Sequence, residues 1–208
     1  MKLSDKIIIE QENLIIVEGM DDENFISVLL NYLDIENVEI VNIEGNNFRD
    51  YVPEIGKITG FDKVKILIII SDADNNANTA FNRIKRSIEQ IEDYDLIPPN
   101  NRNTFNTERP MVGIYIITKG DSEEGMLEDL CLETIKHNNV MECVDSFSDC
   151  ISNLGIELRN PAKSKCQTFL SAMPESVPHI GIAAQRGFWE LNSEALDELK
   201  LFLSNLKS

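Results

Sequence analysis

The segment Ile66-Leu67-Ile68-Ile69-Ile70-Ser71-Asp72-Ala73-Asp74 decides the fold, because it is an uninterrupted apolar run that ends in an acidic turn. A short apolar run without polar alternation is typical of a strand buried on both faces, as in a parallel sheet. The earlier segment Leu14-Ile15-Ile16-Val17-Glu18-Gly19-Met20-Asp21-Asp22 repeats the pattern. In open α/β sheets, ligands bind beyond the carboxyl ends of the strands. We therefore expect both acidic segments to lie at one edge, close enough to share a divalent cation.

On either side of these two strands, the spacing of the apolar residues predicts strands and helices that alternate along the chain. Apolar residues at helical spacing predict a helix over residues 21–33, whose first turn is acidic. Residues 94–110, which contain Pro98-Pro99-Asn100-Asn101, are predicted to be a loop. The other predicted elements are strands at 38–43, 64–70 and 111–118, helices at 48–59 and 123–137, and a helix that carries Phe81, Ile84, Ile88 and Ile91. This order predicts an α/β fold with a four-stranded, mainly parallel sheet, flanked by helices and joined by right-handed crossovers.

The strand pattern stops after residue 140, and the rest of the chain is predicted to be helical. One predicted helix, at 161–172, opens with a proline, and a second spans 193–206 with one apolar face. We therefore divide the chain into an α/β domain, residues 1–140, and a helical C-terminal extension packed on it, residues 141–208.

The composition predicts a folded, acidic globule. The chain has 208 residues, a hydrophobic fraction of 42%, a formal net charge of −17 and a pI near 4.4. This charge repels a phosphate backbone, so it disfavours nucleic-acid binding without a metal, a local basic patch or a partner protein. The four cysteines form no Cys-x-x-Cys pair and are expected to be reduced.

No targeting or membrane segment is predicted. Met1 to Lys6 lead into no signal-type stretch, and no apolar run approaches the ~20 residues of a membrane helix. We therefore expect a soluble, cytoplasmic protein. The sequence leaves open whether the chain forms a homo-oligomer.

Acidic residues follow both strands at spacings that suit metal binding. Asp72 and Asp74 lie on the same side if the extended conformation continues past the strand. Converging carboxylate oxygens suit Mg²⁺ or Mn²⁺, because without a cation they repel each other. Gly19, after Glu18, permits a sharp turn and close approach of a phosphate, and Asp22 follows one helical turn later. The structural alternatives are a simple turn for the aspartate pair and a helix-stabilising charge for Asp22.

Glu18-Gly19-x-x-Asp22 after one strand, with Asp72-x-Asp74 after a later strand, resembles the Toprim domain. That family includes topoisomerases, bacterial primases, small ribonucleases and the overcoming-lysogenization-defect (OLD) nucleases. The resemblance covers about residues 10–140 and implies a Rossmann-like sheet; the size and helical tail look most like a small stand-alone Toprim-like protein. It implies that Glu18 acts as general acid/base or metal ligand. It also implies that Asp72 and Asp74 hold the metal and that Asp22 completes the acidic site.

A second acidic element follows the last predicted strand. Gly125-Met126-Leu127-Glu128-Asp129-Leu130 resembles part of the OLD branch in which a glutamate helps to bind a second metal. The resemblance implies that role for Glu128; a solvated helix acid is the structural alternative. Two cations about 3.5–4 Å apart stabilise both the attacking and the leaving oxygen of a phosphodiester, whereas a single cation still polarises the phosphate.

The expected function is Mg²⁺- or Mn²⁺-dependent phosphodiester chemistry on nucleic acid, with nuclease-type hydrolysis as the simplest reaction. No tyrosine is placed for strand transfer, and the chain has no room for the DNA-gating domains of a topoisomerase. The alternative is a non-catalytic, metal- or nucleotide-binding subunit that acts through a partner such as an ATPase. A phosphoacceptor receiver domain is a third interpretation, which is disfavoured because its lysine should end a fifth strand and none is predicted.

Basic and aromatic residues are few, so their positions matter. The basic residues that could contact phosphate are Arg83, Lys85, Arg86, Lys119, Lys163 and Lys165. Exposed lysines and arginines are usually only solvated. His137 and His179 are expected to be structural or exposed. Trp189 with Phe188 is predicted to anchor the extension to the core, with stacking on a nucleic-acid base as the alternative.

Overall fold

A computed structural model describes residues 7–45 and 47–207. Met1 to Lys6, the segment on which the prediction of no signal stretch rests, lie outside the described residues. The strands are β1 (Asn13–Val17), β2 (Val38–Asn42), β3 (Ile66–Asp72), β4 (Thr104–Phe105) and β5 (Met111–Ile117). They form one sheet in the order β2-β1-β3-β5-β4, in which only β4 pairs antiparallel. The buried parallel strands confirm the predicted α/β class.

Helices flank this sheet. They are α1 (Met20–Tyr32), α2 (Phe48–Tyr51), α3 (Ala77–Ile88), α4 (Leu127–Thr134), α5 (Val140–Asn153), α6 (Pro161–Ser171), α7 (Ile180–Gln185) and α8 (Asp197–Leu203). Short 3₁₀ segments occur at Val52–Lys57, Phe61–Lys63, Glu194–Leu196 and Ser204–Lys207. No helix in the described part of the chain is long and apolar enough to cross a bilayer.

The helix α1 begins directly after β1, as predicted. Gly19 is its N-cap residue, and its N–H donates a hydrogen bond of 3.1 Å to the Asp22 side chain. Asp21, Asp22 and Glu23 place negative charge in the first turn, where the helix dipole stabilises it. The acidic segment therefore starts the helix as well as ending the strand.

Helices on both faces of the sheet create two apolar cores. Alternation along β1 sends Ile15 and Val17 into one core and Leu14 and Ile16 into the other. Residues of α1, α4, α6, α7 and α8 belong to the first core, and residues of α2 and α3 belong to the second. The C-terminal helices therefore share a core with the central strands.

Trp189 lies in the first core and is fully enclosed. Its indole N–H donates a hydrogen bond of 3.0 Å to the Ile180 carbonyl, and its ring stacks on Phe169 with 5.5 Å between centroids. The partly buried Phe188 packs against the same core. Trp189 thus has the anchoring role predicted for it and is not available to stack on a base.

The strand count differs from the prediction, because the predicted loop at 94–110 contains β4. Thr104 and Phe105 pair with β5, and the Phe105 ring stacks on Phe202 with 4.4 Å between centroids. Gly113 makes room for this ring, since a Cβ there would lie 2.5 Å from it. Tertiary contacts rather than local propensity therefore create a fifth strand, at the edge of the sheet.

Several helices also differ from the prediction. The predicted helix at 48–59 is one α-helical turn followed by the 3₁₀ segment Val52–Lys57, where Pro53 lacks an N–H for a longer α-helix. The helix predicted at 123–137 begins only at α4, because the preceding residues bond to the loop after β3. Helices α5 and α7 were not predicted. In α5 only Val144 is buried, so its pattern lacks a broad core-facing stripe.

Candidate functional site

The two acidic segments meet at the carboxyl edge of the sheet. β1 and β3 are neighbouring parallel strands, and their register pairs Ile16 with Ile69. Glu18 and Asp72 follow shortly afterwards, so they leave strands that run about 4.8 Å apart. The helices α1 and α3 both begin at this edge, since each follows its strand closely. The topology therefore gathers carboxylates that are far apart in the sequence.

A cavity of about 430 Å³ opens at this edge. Four of the predicted site residues line it, namely Glu18, Asp22, Asp72 and Glu128. The fifth, Asp74, is not in the lining, but it lies close enough to Glu18 and Asp72 to raise the pKa of each. We call these five residues the carboxyl-edge cluster.

Asp72 is the centre of the carboxyl-edge cluster. One of its carboxylate oxygens accepts a hydrogen bond of 3.0 Å from the Leu127 N–H, which ties β3 to the start of α4. Burial raises the pKa of Asp72 well above its ordinary value, and repulsion from the other four carboxylates raises this pKa further, with Asp22 the strongest of them. Asp72 is thus the residue whose pKa is raised by every other member of the cluster.

Asp22 is the second strongly perturbed acid. Burial is the main reason that its pKa rises from 3.8 to about 6, and repulsion from Glu18 and Glu128 adds to the shift. The hydrogen bond from the Gly19 N–H opposes this rise, because it stabilises the charged carboxylate. Asp22 therefore combines a capping role in α1 with a position inside the cluster.

Glu18 has a different set of neighbours. Burial raises the pKa of Glu18, repulsion from Asp74 raises it further, and the guanidinium of Arg83 lowers it. Asp72, by contrast, is influenced most by Asp22 and Glu128. Asp22 and Glu128 are thus the carboxylates that act most strongly on Asp72, whereas Glu18 is repelled by Asp74 and itself acts on Asp22.

Asp74 departs from the predicted extended conformation. β3 ends at Asp72, and Asp74 has a left-handed φ of 50°, so the two aspartates are not two successive side chains on one face of a strand. The backbone of Asp74 instead pairs with Gly125, with reciprocal N–H to carbonyl bonds of 3.0 and 3.1 Å. Gly125 is required there, because its φ is 150° and a Cβ would lie 2.3 Å from the Lys119 nitrogen.

The loop before α4 is held by an ion pair outside the cluster. Arg102 donates two hydrogen bonds, of 2.7 and 2.8 Å, to the carboxylate of Glu123. Asn78 donates to the same carboxylate at 3.0 Å, and the Ala77 N–H donates to the Glu123 carbonyl. Glu123 therefore fastens this loop to the N-terminus of α3, next to Asp74.

Residues of the C-terminal extension also line the cavity, including Lys163 and His179. The Nδ1 atom of His179 lies 3.7 Å from Asp21, whose other oxygen accepts a hydrogen bond of 3.0 Å from the Gly181 N–H. Gly181 lets α7 sit directly on α1, since a Cβ would lie 2.5 Å from the Cβ of Asn24. His179 is exposed, as predicted, but its place in the cavity wall was not predicted.

Sequence comparison assigns the chain to a family. The sequence model described as "Protein of unknown function (DUF3226)" matches residues 12–208. The chain belongs to the DUF3226 family. No curated protein and no solved structure matches it. The match covers the carboxyl-edge cluster and the C-terminal wall of the cavity, so both parts of the site lie within the family's shared sequence.

The donor chemistry of this DUF3226 site fits Mg²⁺ or Mn²⁺, because every member of the cluster is a carboxylate. Burial and repulsion from neighbouring carboxylates disfavour the charged forms of Glu18, Asp22 and Asp72, and a divalent cation offsets both effects. As positioned, the described side chains include no group of three or more His, Cys, Asp or Glu residues that could hold a metal. Binding by three carboxylates therefore requires side-chain rotation at the edge.

The other basic residues have different surroundings. Lys119 lies 3.4 Å from Asp129, and Lys165 lies 2.5 Å from Asp145, so both are paired with acids outside the cluster. Lys163 takes part in none of the ion pairs among the described residues. Lys163 is therefore the lysine of the cavity wall with no acidic partner in the described part of the chain.

Proposed function

We propose that this DUF3226 chain is a Toprim-like phosphodiesterase that hydrolyses nucleic acid with Mg²⁺ or Mn²⁺. The observation that supports this most is the position of Asp72, whose pKa is raised by burial and by four other carboxylates from three separate segments. Such a concentration of perturbed acids in a cavity is characteristic of functional sites. A purely structural turn would not need to collect these charges.

The residues divide into two sets of metal ligands in this proposal. Glu18 and Asp74 would hold one cation with Asp72, and Asp22 and Glu128 would hold a second with the same aspartate. A bound cation supplies charge stabilisation to the phosphate oxygens and acidifies bound water. A single cation on the Glu18 side is the simpler version of the same site.

Glu18 is the proposed general base. Its carboxylate lines the cavity, and burial raises its pKa, which makes it a stronger base toward an attacking water. Lys163 and His179, which line the same cavity, are the groups that would bind the phosphate oxygens. The residues of the extension would thus complete a site that the α/β part only begins.

A cleavage assay tests the proposal. The purified chain is incubated in Mn²⁺ with end-labelled single- and double-stranded DNA and RNA. We expect Asp72→Asn to reduce cleavage at least about 100-fold, because it removes the shared ligand charge while keeping an acceptor for the Leu127 N–H.

The matched control is Glu12→Gln, which removes one charge from an exposed residue at the opposite edge of the sheet. This variant should cleave like the unmodified chain. Absence of cleavage with all four substrates, or equal cleavage by the unmodified chain and Asp72→Asn, would contradict the proposal.

The second candidate is a non-catalytic Toprim-like subunit that binds a metal or nucleotide and acts through a partner such as an ATPase. The net charge of −17 favours this alternative, because it disfavours unaided capture of nucleic acid. Mn²⁺ binding that depends on Asp72, without cleavage by the isolated chain, would favour it. A pull-down that recovers an ATPase would then identify the partner.

A further inference from the structure

The helix α5 buries few of its apolar side chains. It packs on α6, and Val144 is the one buried residue among its fourteen. A second set of apolar side chains is turned away from the core and exposed to solvent. This set, which we call the α5 stripe, consists of Cys143, Phe147, Cys150 and Leu154. Phe147 is 46% exposed, and Leu154, at the C-cap position, is 69% exposed. The helix therefore presents an apolar face that the described residues leave open.

The spacing of the α5 stripe is that of a seam between two helices. Its members are four, three and four residues apart, which is the 3.5-residue repeat along which helices pack together. At about 100° per residue, the four side chains fall within an arc of roughly 60° on one side of α5. A surface helix normally places polar residues on its solvent side. The stripe therefore has the pattern of an interface with a second helix.

The apolar area around the stripe is large enough for the centre of a dimer interface. The helix ends at Gly155, and the Ile156 N–H bonds back to the Ile151 carbonyl at 3.3 Å, which keeps Ile156 at the same end of α5. Ile156 is 51% exposed. With the stripe, it exposes on the order of 400 Å² of apolar surface, which is in the range of functional patches. A standard dimer interface takes about 800 Å² from each partner, a little over half of it apolar.

The order of side-chain sizes favours a second copy of the chain as the occupant. Small cysteines alternate with large apolar residues along the α5 stripe. With a twofold axis at the level of residues 148–149, an antiparallel second α5 places its Cys150 against Phe147. The same arrangement places its Cys143 against Leu154. Each large side chain then meets a small one, as close packing requires. A parallel copy would instead place the two Phe147 rings against each other.

The charges of α5 also permit this pairing, despite the net charge of −17. The positions that flank the stripe are uncharged on both sides, namely Ser146, Asn153, Val144 and Ile151. More than about 100° from the centre of the stripe lie the three acids of the helix, which are Glu142, Asp145 and Asp149. A second α5 therefore brings no like charges together at the seam, whereas a basic partner helix would find no acids of α5 there to bind it.

We propose that two copies of this chain form a twofold-symmetric dimer in which their α5 stripes pack antiparallel. The interface is apolar at its centre, where Cys143 and Cys150 act as small, reduced apolar side chains rather than as disulfide partners. Among the described residues, the lining of the carboxyl-edge cavity includes none from α5. The dimer is therefore separate from the phosphodiester chemistry proposed above, and either can hold without the other.

Sedimentation equilibrium of the full chain tests the dimer. In about 0.15 M NaCl with a reducing agent, we expect the mass to approach twice the 23.6 kDa of the chain as its concentration rises from about 1 to about 100 μM. Phe147→Ser should weaken the dimer at least about 100-fold, because the twofold axis uses this side chain twice. Leu201→Ser is the matched control, since Leu201 is 73% exposed on α8, and it should change the dissociation constant less than about twofold.

An exchange of side-chain sizes tests the antiparallel register. Cys150→Phe alone places a second large ring against Phe147 of the other copy, so it should weaken the dimer at least about 10-fold. The double variant Phe147→Cys with Cys150→Phe exchanges the large and the small position, so each large side chain again faces a small one. We expect its dissociation constant to return to within about threefold of that of the unmodified chain. Urea denaturation shows that each variant is folded, as expected for exposed positions.

Three results would overturn the inference. A chain that stays monomeric at the highest concentration would leave the α5 stripe to a different protein. A dimer that is indifferent to Phe147→Ser, or more sensitive to Leu201→Ser, would show that another surface forms the interface. A double variant as weak as Cys150→Phe would exclude the antiparallel register. An intact dimer that cleaves no nucleic acid would support this inference and contradict only the proposed function.

Discussion

Acidic residues line a cavity at each end of the parallel strands, and the two groups differ in how far they are buried. At the amino edge, four acids line a cavity of about 590 Å³: Glu10, Glu12, Asp34 and Glu36. All four are exposed, and Glu12 is paired with Lys65 at 2.6 Å. At the carboxyl edge, Glu18, Asp22 and Asp72 are partly buried, and burial is the main reason that their pKa values are raised.

The difference shows that a high density of negative charge does not by itself make a site. Exposed acids at the amino edge keep their hydration, and salt screens their mutual repulsion. At the carboxyl edge, the loops and helix starts remove water from the carboxylates while backbone N–H groups hold Asp22 and Asp72 in place. A cation therefore stabilises the charged form of these desolvated carboxylates much more than that of exposed ones.

The largest expected effect concerns the backbone that fixes the carboxyl edge. We expect Gly125→Ala to lower the free energy of unfolding by about 3–4 kcal/mol, because a Cβ would lie 2.3 Å from a backbone nitrogen and 2.6 Å from a backbone carbon. Urea denaturation measures the change. Gly155→Ala is the control, since its φ of 74° is strained but nothing lies within 4 Å; it should cost only about 1 kcal/mol. If Gly125→Ala and Gly155→Ala lowered the free energy of unfolding equally, the close backbone contact at Gly125 would not be important for stability.

Cation affinity should separate the two edges next most clearly. We expect Asp72→Asn to weaken Mn²⁺ binding at least about 100-fold, which corresponds to about 2.7 kcal/mol, measured by calorimetric titration. A variant in which Glu10, Glu12 and Glu36 are all replaced by glutamine should bind Mn²⁺ within about threefold of the unmodified chain. If the amino-edge variant loses the affinity instead, charge density rather than burial controls cation binding, and the comparison fails.

Local sequence patterns were sufficient for the part of the fold that forms the carboxyl edge. The apolar runs of β1 and β3 and the helical stripe of α1 are each recognisable within one segment, and parallel pairing then brings Glu18 close to Asp72. The strand β4 could not be predicted in this way. A strand of two residues is too short to show an apolar alternation. It forms because Phe105 stacks on Phe202, which lies near the C-terminal end of the described chain.

The site was predictable only on its acidic side. The predicted resemblance to the Toprim motif draws attention to carboxylates. The cavity wall around His179, however, depends on how α7 packs on α1, and Gly181 is the only local sign of that packing. The left-handed φ of Asp74 was likewise missed, although aspartate tolerates that conformation better than most residues. The structure adds that Asp74 is fixed through its backbone, by Gly125, rather than by continuing the strand.

The pH dependence of stability should reveal the buried acids of the carboxyl edge. The pKa of Asp22 is 3.8 ordinarily and about 6 in the folded chain, so the folded state binds this proton more tightly. In EDTA, the contribution of Asp22 to the free energy of unfolding therefore falls as pH rises from about 4 to about 6 and then stays low. The loss is at most about 3 kcal/mol, because one pKa unit corresponds to about 1.4 kcal/mol.

The variant Asp22→Asn isolates this contribution, because asparagine still accepts the hydrogen bond from the Gly19 N–H. We expect the variant to exceed the unmodified chain in stability by about 2 kcal/mol at pH 7.5 and to differ little at pH 4. Asp34→Asn, at the exposed amino edge, should leave the pH profile unchanged. Parallel profiles for the unmodified chain and Asp22→Asn would show that Asp22 is not desolvated enough to shift its pKa.

The smallest effect is expected at the amino edge. Glu12 and Lys65 form an ion pair at 2.6 Å, but their side chains are 59% and 65% exposed. Because water already solvates both charges, Glu12→Gln should change the free energy of unfolding by less than about 0.5 kcal/mol, and by still less in 0.5 M NaCl. Thermal melts at both salt concentrations measure this. A loss above about 1 kcal/mol that persists in salt would mean that the amino edge is also organised by its carboxylates, and the contrast between the two edges would disappear.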